Sequence, residues 1–223
     1  MDKCFMVDVE TAGSFDAPLV YDFGGQSIDM EGKNAGKQFN HVMLEVFYGM
    51  KEEMENAYFA SKIPQYDDEI WAGDREVMDF MLTRKAVCDY LRDENITIIC
   101  AHNARFDVKA LNNTVRIITN GKVKYFFPYG VEVWDTLKMA HNVLKNDPEY
   151  RAYCEEHGYM TNHKTPRPRL TAEIIYRFIT KNDDFEEAHT GLADVEIESE
   201  IFAYLVNRCP ADCRVLYHAP ARA

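Results

Sequence analysis

Two carboxylates, Asp8 and Glu10, stand one residue apart near the end of an apolar run, Cys4 to Gly13 (Cys-Phe-Met-Val-Asp-Val-Glu-Thr-Ala-Gly). A run of this kind reads as a strand that is buried almost from its first residue. Strand side chains alternate faces with a period of two, which places Asp8 and Glu10 on one face and Val7 and Val9 on the other. Adjacent acids at a sheet surface repel each other, and desolvation adds to the penalty unless a cation or a proton intervenes. A divalent metal is the simplest cation that answers this. Thr11, Ala12 and Gly13 then offer a small, flexible turn whose backbone N–H groups can approach an anionic ligand. An Asp-x-Glu pair alone is weak evidence, because such pairs are common on solvated strand faces.

Further acids occur. Ile96 to Cys100 (Ile-Thr-Ile-Ile-Cys) has the β-rich apolar character of a central strand, and it leads into Ala101-His102-Asn103-Ala104-Arg105-Phe106-Asp107. Asn103 is expected to cap a helix that carries Asp107 in its first turn, pointing back toward the strand ends. The last signal is His189-Thr190-Gly191-Leu192-Ala193-Asp194. In a continuous helix, residues five apart differ by roughly 140° about the axis, so His189 and Asp194 would not share a face. The helix is therefore expected to start between them, with Thr190 as N-cap, His189 on the entering loop and Asp194 just inside.

The elements that must position these groups alternate between strand and helix. Leu19 to Asp29 predicts a strand, broken or bulged at Gly24-Gly25, that forms a hairpin with the first. Met30 to Gly73 is less legible: Glu31 to Gly36 reads as a turn, Phe39 to Phe47 as strand or helix, Met50 to Ser61 as helix, with no clear third strand. Val77, Phe80, Met81, Cys88 and Leu91 keep amphipathic helical spacing through about Arg92, where Asp93-Glu94-Asn95 ends it. Lys122 to Phe127 and Val131 to Trp134 suggest a hairpin or extended pair, and Asp135-Thr136 opens a helix to about Leu144. Tyr159 to Arg169 is a loop with His163, Lys164, Arg167 and Arg169 around two prolines, the most cationic patch of the sequence. Such a loop is usually solvated, but beside an acidic metal site it can hold a phosphate backbone. Helices follow over Leu170 to Ile179 and from about Gly191 to Asn207, separated by an acidic turn, Asn182 to Glu187.

The 223 residues, 47% of them hydrophobic, suffice for one substantial core. The expectation is a single domain over residues 1–207, with an insertion near 30–73 and a short tail over 208–223. Strand-like sequence from about Lys3 leaves no room for a secretory signal, and no apolar run approaches the roughly 20 residues that span a bilayer. A soluble, cytoplasmic protein is expected, with its six cysteines reduced and no structural zinc site. The formal charge of −12, from 37 acids and 25 bases, argues against a protein that coats long stretches of nucleic acid. It does not exclude nucleic acid at a metal site, where bound cations reverse the local field.

Asp8-x-Glu10, Asn103-x-x-Phe106-Asp107 and His189-x4-Asp194, in this order, resemble the DEDD superfamily of 3′–5′ exonucleases, in its histidine subgroup of DnaQ-like proofreading and RNA-trimming enzymes. Asp135-Thr136 also resembles an Asp-Thr common after a late strand there. The resemblance runs from Phe5 to about Val206. It implies an RNase H-like α/β fold, a mixed central sheet flanked by helices. It further implies Asp8, Glu10, Asp107 and Asp194 as ligands for two Mg2+ or Mn2+ ions, with His189 as general base. The implied activity is hydrolysis of terminal phosphodiesters of single-stranded DNA to nucleoside 5′-monophosphates. An exoribonuclease and a catalytically silent binding module are the alternatives. Thr11, Ala12, Gly13, Ser14, Phe15, Asn103 and Phe106 correspond to positions at the terminal nucleotide, with Phe15 a base-stacking candidate. Phe106 itself reads as core, and His102 as a packing or hydrogen-bonding residue. Partners are DNA or RNA 3′ ends; a polymerase or a homodimer partner could use the 30–73 insertion, but a stand-alone enzyme is preferred.

Overall fold

A computed structural model describes residues 3–57 and 60–218. Among these, seven strands form one mixed sheet in the order β4-β3-β2-β1-β5-β6-β7. They are β1 (Lys3–Ser14), β2 (Ala17–Asp29), β3 (Asn34–Met43), β4 (Glu76–Met78), β5 (Ile98–Ala101), β6 (Glu132–Asp135) and β7 (Val215–His218). The helices are α1 (Leu44–Phe47), α2 (Lys51–Glu55), α3 (Ile63–Ala72), α4 (Phe80–Asp93), α5 (Ala104–Ile118), α6 (Thr136–Val143), α7 (Pro148–Glu156), α8 (Ala172–Thr180) and α9 (Gly191–Val206).

The period of two in β1 divides the core. Phe5, Val7 and Val9 pack with residues of α4 and α5 on one face, whereas Cys4 and Met6 pack with α6, α8 and α9 on the other. Asp8 and Glu10 belong to this second face, so they meet α9. A third cluster, including Tyr21, Val42, Phe47 and Tyr66, closes the end of the β1–β2 hairpin against α1 to α3.

Several expectations need correction. Thr11 to Gly13 is not a turn: β1 continues to Ser14, and Ala12 is buried at the hairpin end. The β1–β2 irregularity falls between Glu10 and Thr11, not at Gly24-Gly25, since Asp8 pairs with Gly24 and Val7 with Gly25 in unbroken register. Gly24 serves a different purpose: a Cβ there would lie 2.0 Å from the Gly191 carbonyl carbon, so its lack of a side chain lets α9 start directly against β2. A third strand does exist, β3, with β4 parallel to it, and Val77 lies in β4 rather than in the helix, which begins at Phe80. Lys122 to Phe127 is not a strand, and Phe126 and Phe127 are buried in the core instead. The edge beside β6 is taken by β7, antiparallel, from the segment read as a tail. Part of the expected helix over Met50 to Ser61 falls on Tyr58 and Phe59, which lie outside the described residues; α2 ends at Glu55. Asp135 caps α6 by accepting from the N–H groups of Leu137 and Lys138.

Candidate active site

β1 supplies Asp8 and Glu10, the first turn of α5 supplies Asp107, the first turn of α9 supplies Asp194, and the loop entering α9 supplies His189. All five line one cleft of about 600 Å³, together with Glu187, Glu198, His102 and Arg169. The ligand atoms of Glu10, His189 and Asp194 lie within 4.8 Å of one another. His189 stands on the loop entering α9 with a left-handed backbone (φ 55°), and its Nδ1 lies 3.8 Å from Glu187 Oε2.

These acids suffer from their burial and from each other. Burial, then the charges of Glu187 and Asp22, push the Asp8 carboxyl up to about 8. Glu10 is raised to about 9 by burial and then by Asp8, and Asp194 to about 10 by burial and then by Asp8. Asp107 is held well above the carboxylate range by burial and Asp8. Asp194 Oδ1 is moreover a buried oxygen with no hydrogen-bond donor. A cluster of hard oxygen donors that repel one another, one of them orphaned, fits divalent cations such as Mg2+ or Mn2+. Burial and Lys62 lower His189 below the usual imidazole range, which keeps the ring neutral and able to accept a proton near pH 7.

The substrate-side expectations divide. Thr11, Gly13, Ser14, Phe15 and Phe106 line a neighbouring cavity of about 390 Å³ with Glu10 and Asn56, whereas the buried Ala12 does not. Phe106 is not core: it is partly exposed, lines both cavities, and stacks on Phe15 with ring centroids 5.7 Å apart. Phe15 is 79% exposed. Asn103 lines the cleft and occupies the N-cap position of α5, but its side chain makes no capping bond. Its backbone is left-handed and its N–H donates to Asp135 Oδ1 at 3.1 Å. Thr190 likewise precedes α9 without a side-chain cap bond. His102 is fixed, with Nδ1 at 2.9 Å from Thr136 Oγ1 and Nε2 at 2.8 Å from the Leu170 carbonyl. Of the basic loop, Arg169 reaches the cleft.

Three acids escaped the sequence reading. Glu198, one helical turn after Asp194, is 3% exposed and accepts the His102 N–H at 3.1 Å. Its signal is the i, i+4 spacing from Asp194, which puts the two acids on one face of α9, away from Glu196 and Glu200. Glu187 was hidden in an acidic turn. Asp22 lies opposite Glu10 in the β1–β2 ladder and is fully buried. It pairs with Arg75 Nη1 at 2.9 Å and accepts from Tyr66 Oη at 2.7 Å and from Gly191 N–H at 2.9 Å. Arg75 also binds Glu69 of α3. This network ties the 30–75 region to the first residue of α9, two residues beyond His189.

No protein-family model matches the chain, and no curated protein matches it in sequence. Solved structures do match. The nuclease domain of 3′hExo, a DEDDh family member, bound to rAMP, superposes with a TM-score of 0.63 at 14% identity over 97% of both chains. Exonuclease I from Methylocaldum szegediense gives a TM-score of 0.55 at 14% identity, over 96% of this chain and 42% of that one. Exonuclease I of E. coli in complex with a dT13 oligonucleotide gives 0.50 at 14% identity, over 93% of this chain. The chain spans 42% of the length of each Exonuclease I. It therefore has the RNase H-like α/β fold of the DEDDh exonuclease domains that it resembles.

Proposed function

We propose that the protein is a divalent-metal-dependent 3′–5′ exonuclease of single-stranded nucleic acid, releasing nucleoside 5′-monophosphates. The observation that carries this reading is the convergence of Asp8, Glu10, Asp107 and Asp194 with His189 in one open cleft. The buried, partnerless Asp194 Oδ1 is part of that set. A silent binding module has no use for acids held at this electrostatic cost. The structural neighbours crystallised with rAMP and with dT13 support a nucleic-acid substrate.

Asp8, Glu10, Asp107 and Asp194 would hold the cations. Bound, these supply positive charge that offsets the repulsion among the acids and polarises the scissile phosphate. The chain's own groups do the rest. Phe15 and Phe106 present π surfaces for the terminal base, at the cavity where Thr11 and Ser14 supply polar groups. His189, neutral and turned into the cleft, accepts a proton from the attacking water, while the carboxylate of Glu187 beside its Nδ1 stabilises the imidazolium that forms. The water oxygen bonds to phosphorus, the bond from phosphorus to O3′ of the preceding nucleotide breaks, and the departing O3′ takes a proton from solvent. A 5′-monophosphate and a strand shortened by one nucleotide with a free 3′-hydroxyl result.

Incubation of 3′-labelled and 5′-labelled DNA and RNA oligonucleotides with Mg2+, Mn2+ or EDTA tests this. Stepwise shortening of the 5′-labelled strand from its 3′ end, abolished by EDTA, is expected, and the faster of the two sugars identifies the substrate. Internal cleavage, or no cleavage of either polymer, would refute the reading.

A further inference from the structure

The charge of this acidic chain is unevenly placed. Between His102 and Val131 there are five bases, Arg105, Lys109, Arg116, Lys122 and Lys124, against one acid, Asp107, which is buried at the catalytic cleft. Arg105, Lys109 and Arg116 stand at i, i+4 and i+11 of α5, so they share one face of the helix. At 1.5 Å rise per residue the stripe is about 16 Å long, which at about 3.4 Å per stacked nucleotide spans several nucleotides. It starts at the terminal-nucleotide cavity: Lys109 Nζ donates to the Phe15 carbonyl at 3.2 Å and lies 5.7 Å over the Phe15 ring.

Beside this stripe is a second cleft, of about 200 Å³, between α5 and the β6–β7 edge of the sheet. Its wall is aromatic, with Tyr125, Phe127, Tyr129 and Tyr217, and Tyr129 is 49% exposed. The Arg116 guanidinium stands 5.9 Å from the centre of the Tyr125 ring. The two clefts flank the first turn of α5 without sharing a lining residue: Phe106 and Asp107 line the catalytic one and Val108 the aromatic one. Tyr217 feels both the Arg105 and the Asp107 charge. A π-faced cleft flanked by cations, on a chain of net charge −12, complements a polymer of bases and phosphates. An acidic peptide would satisfy the bases but leave the aromatic wall without its match.

We propose that the Tyr125–Tyr129–Tyr217 cleft takes an unpaired base of the bound strand upstream of its 3′ terminus, while Arg105, Lys109 and Arg116 hold the intervening phosphates. This rests on the exonuclease reading and extends it to strands longer than the catalytic cleft alone can hold.

The test is the affinity of the full chain for labelled single-stranded oligonucleotides of two to twelve nucleotides, by fluorescence anisotropy in Ca2+. Wild type is compared with Tyr129→Ala and Arg116→Ala, both changes at exposed positions, and melting temperatures verify folding. Tyr129→Ala is expected to weaken the longer strands by roughly tenfold, as for loss of one stacked base, and to leave dinucleotide binding unchanged. Arg116→Ala should lower the slope of log affinity against log salt by about 0.7 on long strands. Equal affinity of the folded variants and wild type for every length would overturn the proposal, as would an equal loss for dinucleotide and dodecamer. Tight long-strand binding that both variants weaken, without hydrolysis in Mg2+, would sink the exonuclease reading and sustain this one. Hydrolysis with unaltered length dependence would do the reverse.

Discussion

In the proposed reaction the carboxylates hold the cations and one imidazole, that of His189, moves a proton. Asp8→Ala removes a ligand at the centre of the repulsive set and is expected to lower turnover by at least about a hundredfold. His189→Ala leaves the acids in place and should cost roughly 10²–10⁴-fold in kcat, with Mn2+ binding retained in a titration of the same sample. Because burial and Lys62 lower His189, its neutral, proton-accepting form persists to lower pH. The acid limb of a kcat profile should fall with a midpoint below about 6.5, and a midpoint above 7 would exclude His189 as the base. Asp8 and Glu10 were legible because a period of two and an apolar setting leave few other uses for two acids. The sequence assigns Phe106 to the core because an aromatic side chain in a helical first turn carries no mark of whether it faces sheet or solvent. Its stacking on Phe15, distant in sequence, decided it.

Elements place these groups by close approach. α9 starts against β2 at Gly24, where a Cβ would meet the Gly191 backbone, and Asp22 accepts the Gly191 N–H beside it. Gly24→Ala is expected to destabilise the fold by about 1–3 kcal/mol, since backbone rather than a flexible side chain must yield, and to reduce activity by shifting His189. Arg75→Ala strands a buried Asp22 carboxylate and should cost about 3–5 kcal/mol in denaturant unfolding, whereas breaking an exposed pair such as Lys33–Glu31 should change stability little. A cost for Arg75→Ala as small as that of the exposed pair would refute this role. β3 escaped the sequence because its first half, Asn34 to Gln38, is polar and largely exposed, so no alternation marks it. Lys122 to Phe127 imitated a strand through Val123, Tyr125 and Phe127. The antiparallel place beside β6 went to β7, a pairing across more than 80 residues that no local pattern encodes.

For the whole molecule, the acid cluster links stability to protons and metal. The native state holds protons on Asp8, Glu10 and Asp194 up to about 8, about 9 and about 10, whereas the unfolded chain releases them near 4. Between these limits the native state binds more protons, so the stability of the metal-free protein falls as pH rises. In EDTA the melting temperature should therefore be lower at pH 9 than at pH 6, and the gain on adding Mg2+ should be larger at pH 9, by several degrees. A gain independent of pH would show that the cations bind elsewhere. No helix among the described residues is long and apolar enough to cross a membrane. Outside the 30–75 region, the 122–127 and 148–156 segments and β7, the alternation of strands and helices is readable in the sequence, and with it three distant motifs, because each has its own local signal: a buried strand carrying two acids for Asp8 and Glu10, a helix start for Asp107 and for Asp194. The most direct test of the central claim is hydrolysis of a single-stranded oligonucleotide in ¹⁸O-labelled water with Mg2+, with products identified by mass spectrometry beside an Asp8→Ala control. The expected product is nucleoside 5′-monophosphate carrying one ¹⁸O atom, absent from the control. A 3′-monophosphate product, or the same yield from the control, would contradict it.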